Sequence, residues 1–104
     1  MKNGKMRKIA LERVATVKSV MADCDELFRL GAYAECAAVA ASANDTCFAI
    51  VTHFARVADC VDSADNAEYG ASAFWRGLAE DMGLLACAYA GVIDDCEALM
   101  GRTG

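Results

Sequence analysis

From Trp75 to Leu99 the residues Trp75, Leu78, Met82, Leu85, Tyr89, Val92, Cys96 and Leu99 recur at alternating spacings of three and four, eight positions without a break. A strand would repeat every second residue, so this segment can bury its apolar side chains together only as a helix. The chain contains no proline to interrupt such a helix elsewhere, and its 22 alanines favour helix further. A β-sandwich or barrel would need turn residues at short, regular intervals. The expected fold is therefore all-α. With 104 residues, 57% of them hydrophobic, the chain fits one domain spanning residues 1–104 with a core of its own.

The remaining segments extend the pattern. Ala10, Val14, Val17, Met21, Cys24 and Phe28 mark a first amphipathic helix over about residues 5–30, which Gly31 is placed to end. An alanine-rich helix is expected from about Ala32 to Ala43. Ser42, Asn44, Asp45 and Thr46 then read as a turn, with Asp45 or Thr46 capping a third helix whose stripe is Cys47, Ile50, Phe54, Val57 and Val61. Asp65 and Glu68 have capping-box spacing, so the last helix is expected to start near Asp65 or, allowing for Gly70, near Ala71. The expected architecture is an antiparallel bundle of about four helices. Its core comprises Val14, Val17, Met21, Phe28, Ile50, Phe54, Val57, Trp75, Leu78, Met82, Leu85, Tyr89 and Val92. Between Met82 and Ile93 the last helix is apolar almost all round, which makes it either the centre of the bundle or the carrier of an interface. Gly77, Gly83 and Gly91 in the same helix imply kinks or close neighbours.

Charge is unevenly placed. Lys2, Lys5, Arg7, Lys8, Arg13 and Lys18 against Glu12 give the first eighteen residues +5, within a chain of net charge −5. This basic segment leads into the first helix. The rest of the chain is strongly acidic and is expected to repel nucleic acid and attract basic partners. The first 27 residues hold no aromatic to stack on a base, which also argues against direct nucleic-acid binding. No uncharged run reaches the roughly 18 residues a membrane span requires. The N-terminus lacks a signal-peptide pattern, since Glu12 and Arg13 interrupt its apolar stretch. The expected location is the cytoplasm, where thiols stay reduced.

The six cysteines form no CxxC pair. Any metal site must therefore be assembled from different helices. The up-down topology would gather Cys24, Cys36 and Cys60 at one end, a candidate thiolate site for Cu(I) or Zn. Copper-storage bundles use such chemistry with a repeated CxxxC spacing that this chain lacks. Alternatively, cysteines on core stripes serve as small hydrophobes. The single histidine, His53, lies beside the third stripe and is read as a packing or boundary residue. Di-iron glutamate motifs, phosphate loops, GxSxG elbows and HExxH are all absent, so no catalytic residues and no cofactor are assigned.

These features point to a small acidic protein, not an enzyme, that binds another protein bearing a basic surface, with self-association through the basic segment also open. The candidate contact residues are Asp59, Asp62, Glu80, Asp81, Leu84, Cys87 and Gly91. Small acidic helical proteins of this class include adaptors and phage-encoded inhibitors such as anti-CRISPR proteins, which block nucleic-acid-binding surfaces of their targets. The alternatives are a soft-metal bundle and a small DNA-binding regulator acting through residues 2–18.

Overall fold

Helix α1, Lys5–Arg29, buries Ala10, Val14, Val17 and Cys24 along the expected stripe. The computed structural model describes residues 5–63 and 71–103. At its end Gly31 takes φ +78°, a conformation that glycine adopts without a steric penalty. The Ala32 N–H donates to the Leu27 carbonyl at 2.9 Å and the Gly31 N–H to the Phe28 carbonyl at 3.1 Å. This pairing satisfies carbonyls the last turn leaves open. Phe28 and Tyr33 meet edge-to-face across the turn, with ring centroids 5.3 Å apart, and the chain reverses into α2.

Helix α2 runs unbroken over Tyr33–Ser63, so the described residues form three helices, not about four. The expected turn at Ser42–Thr46 does not form. Its polar side chains are satisfied without leaving the helix: Thr46 Oγ1 donates to the Ser42 carbonyl at 3.0 Å, and Asn44 Nδ2 donates across to the Ala86 carbonyl at 2.7 Å. Neither glycine nor proline is present there to enforce a break. Meanwhile Ala40, Ala43 and Cys47 are buried and carry the core stripe straight through the segment. Packing outweighs the weak local preference of four polar residues.

Helix α3 covers Ser72–Thr103, matching the start expected near Ala71. The cap candidates Asp65 and Glu68 lie outside the described residues. Helices α2 and α3 pack along their lengths as an antiparallel pair, whereas α1 meets α3 over a smaller area. Gly77, Gly83 and Gly91 interrupt neither the helix nor its packing, because a Cβ at any of them would meet nothing within 4 Å. No close neighbour explains them.

The core has two parts. Near the start of α1, Phe54, Trp75, Leu78 and Met82 cluster with Ala10, Val14 and Ala58, and Phe54 and Trp75 pack edge-to-face at 5.4 Å. Toward the α1–α2 turn, small residues dominate, with Cys24, Cys36, Ala40, Ala43, Cys47, Ala86 and Cys96 around the ring of Tyr89. Of the expected core, Met21, Phe28, Ile50, Val57, Leu85 and Val92 are half-buried. The molecule is long and flat: its Cα radius of gyration is 16.6 Å, against roughly 13 Å for a compact domain of this length. Among the described residues no helix is long and apolar enough to cross a membrane.

Candidate functional site

Helix α3 turns one face to α2 and leaves the opposite one open. It is therefore not wrapped as the centre of the bundle. Glu80, Leu84, Cys87 and Gly91 follow one another at four, three and four residues, so they form a single outward stripe. All four are exposed, and Leu84 is exposed to 71%. Asp94 and Asp95 continue the stripe toward the C-terminus, while Asp81 lies to one side; all three carboxylates are exposed. The result is an apolar knob on a ridge of small residues, rimmed by negative charge.

Two of the expected contact residues come from α2. Asp59 sits on the flank, where its carboxylate meets the Arg76 guanidinium at 3.5 Å. Both side chains are largely exposed, so this pair contributes little to stability. Asp62 belongs to α2, but its side chain is not among those described. On α2, the sequence reading missed one exposed apolar residue, Phe48, which projects from the helix exposed to 59%. Its position just outside the Cys47 stripe is the signal that could have found it.

The cysteines regroup. Cys24 and Cys36 do come together, for the Cys36 thiol donates to the Cys24 carbonyl at 3.2 Å. Their third neighbour is Cys96, which is buried in the same core cluster, and not Cys60, which is exposed. Because α2 is straight, Cys60 is carried about 36 Å along the axis from Cys36. Burial pushes the thiols of Cys24, Cys36 and Cys47 up from their ordinary range, and that of Cys96 up to about 11. These groups are protonated at neutral pH. A protonated thiol is neither a good nucleophile nor a metal ligand. Among the described residues no three His, Cys, Asp or Glu side chains are arranged to hold a metal ion.

His53 is exposed, its ring centroid 6.0 Å from that of Phe54, and it joins no catalytic grouping. In the basic segment, the Arg7 guanidinium lies 5.9 Å from the centroid of the Phe74 ring, so one of its cations is held against the protein's own aromatic surface.

A second open feature runs between α1 and α2. Three adjoining hollows of about 380, 590 and 230 Å³ line up along α1, from Asp23 at one end to Met6 at the other. Their walls include Val20 and Val39 in the first hollow and Ile9 and Ile50 in the second.

No protein-family model matches this chain, and no curated protein or solved structure matches it at a significant level.

Proposed function

We propose that this protein is non-catalytic and acts by binding another protein through the outward face of α3, as an adaptor or inhibitor of small, acidic, helical type. The observation that carries this reading is Leu84, a large apolar side chain 71% exposed in the middle of a stripe edged by Glu80, Asp81, Asp94 and Asp95. An exposed leucine alone would be ordinary. Set among carboxylates on a ridge of small residues, it has the layout of an apolar anchor with a charged rim. The partner this face suits is a protein with a basic surface, such as one that binds nucleic acid. Phage-encoded inhibitors act on surfaces of that kind.

Burying Leu84 fully would contribute about 1.5–3 kcal/mol, or roughly ten- to a hundredfold in affinity. The carboxylates would speed encounter and make it sensitive to salt. The test is capture from lysate of the source cells with tagged wild type and with the Leu84→Asp variant, the retained proteins being identified by mass spectrometry. Retention of one protein by wild type and its loss in a variant with unchanged circular dichroism supports the reading. Equal retention by both removes it.

The soft-metal alternative has less support, since the clustered thiols are neutral and no three-ligand site is formed among the described residues. A DNA-binding role for residues 2–18 is weakened by the Arg7 contact with Phe74 and by the acidic residues on every helix.

A further inference from the structure

Beside its core stripe, α1 carries a second one that the bundle covers only in part, with Val20 and Leu27 packed against the edge of the core. Ile9, Arg13, Thr16, Val20, Asp23, Leu27 and Leu30 follow at spacings of four, three, four, three, four and three, a heptad seam. All seven positions are exposed or half-buried, Leu30 to 70%. Five of them line the α1–α2 hollows: Thr16, Val20 and Asp23 the first, Ile9, Arg13 and Thr16 the second.

The seam is complementary to itself when reversed. Laid antiparallel against a second copy, Ile9 faces the partner's Leu27, Arg13 faces the partner's Asp23, and Thr16 faces the partner's Val20. Each pairing joins a first-type heptad position to a second-type one, as antiparallel coiled coils require. A parallel arrangement would instead set Arg13 against Arg13 and Asp23 against Asp23. Neither of these residues has an ion-pair partner among the described residues of its own chain. Over the whole of α1, Lys5, Arg7, Lys8 and Arg13 outnumber Glu12 in the first half, and Asp23, Asp25 and Glu26 outnumber Lys18 and Arg29 in the second.

We infer that the α1–α2 groove is a homodimer interface, in which α1 of each copy lies antiparallel in the groove of the other about a two-fold axis near Lys18. Such an interface is isologous and closed, so assembly stops at two. This inference uses a different surface from the α3 reading and neither depends on the other.

Sedimentation of the full chain from about 1 to 100 µM tests it. Wild type should be a dimer at the upper concentrations. Arg13→Glu and Asp23→Arg each set like charges together at both symmetric contacts, and each should weaken dimerisation at least about tenfold. Both residues are exposed, so circular dichroism should stay unchanged. Combining the two substitutions as a charge swap in one chain should restore the dimer, and mixing the two single variants should yield a heterodimer, since every contact is then between unlike charges. Wild type that remains monomeric at about 100 µM overturns the inference. So does a dimer that all the variants form equally well, because its interface must lie elsewhere.

Discussion

Tyr89→Phe isolates the contact that ties α3 to α1. Tyr89 is fully buried, and its hydroxyl donates to the Val17 carbonyl of α1. The substitution keeps the ring and removes only that donor. The Val17 carbonyl still accepts a bond inside α1, so no buried acceptor is orphaned and the loss should be that of one net hydrogen bond, about 1 kcal/mol. For a chain of this size that lowers Tm by about 4–8 °C. The pH dependence makes the prediction specific. Burial raises the Tyr89 hydroxyl from 10.0 to about 12. Its protonated form is thus held by the folded protein, and the associated stability is present below pH 10 and lost between pH 10 and 12, an amount on the order of 2–3 kcal/mol. The phenylalanine variant has no such group to ionise. Thermal melts followed by circular dichroism should therefore show a deficit for the variant at pH 7 that shrinks above pH 10. A deficit that stays constant to pH 11, or a variant as stable as wild type at pH 7, would refute the buried bond.

The glycines of α3 should be replaceable with profit, because a Cβ meets nothing at Gly77 or Gly83: Gly77→Ala and Gly83→Ala should each raise stability by about 0.5–1 kcal/mol in chemical denaturation. A loss at either position would mean that a neighbour or a bend occupies the space. Thiol titration should find two fast groups, Cys60 and Cys87, and four more only after unfolding, since Cys24, Cys36, Cys47 and Cys96 are buried and protonated. Four or more fast thiols in native protein would contradict the packing of that half of the core. Alkaline unfolding should begin as pH rises above 9, before Tyr89 titrates, because the raised cysteines stabilise the fold only while protonated.

What could be read from the sequence was decided by side-chain size. Helices α1 and α3 are evident from large residues at helical spacing, and Gly31 ends α1 as its position suggests. In α2 the core stripe passes through Cys36, Ala40, Ala43 and Cys47, whose small side chains give a weak periodic signal. The polar group Ser42, Asn44, Asp45 and Thr46 lies across that stretch and suggests a turn. What the sequence hides is that Asn44 finds its partner on α3, at the Ala86 carbonyl. The error propagated to the cysteines. A broken α2 would have folded Cys60 back beside Cys24, whereas the straight helix takes it away and brings Cys96 from α3 into that place. The outward stripe of Glu80, Leu84, Cys87 and Gly91 was legible because spacing alone determines a helix face. That Asp59 meets Arg76 at 3.5 Å could not be read from the sequence, because it depends on how α2 and α3 align.

The central claim concerns Leu84 and its acidic rim. The most direct measurement is a titration of the captured partner with wild type, with Leu84→Asp, and with Glu80→Lys combined with Asp81→Lys, at low and high salt. Leu84→Asp should weaken binding at least about tenfold at either salt concentration. The lysine pair should weaken it mainly at low salt and flatten the salt dependence, with Tm unchanged because all three side chains are exposed. Affinities indistinguishable from wild type at both salt concentrations would contradict the claim that this face of α3 is where the protein acts.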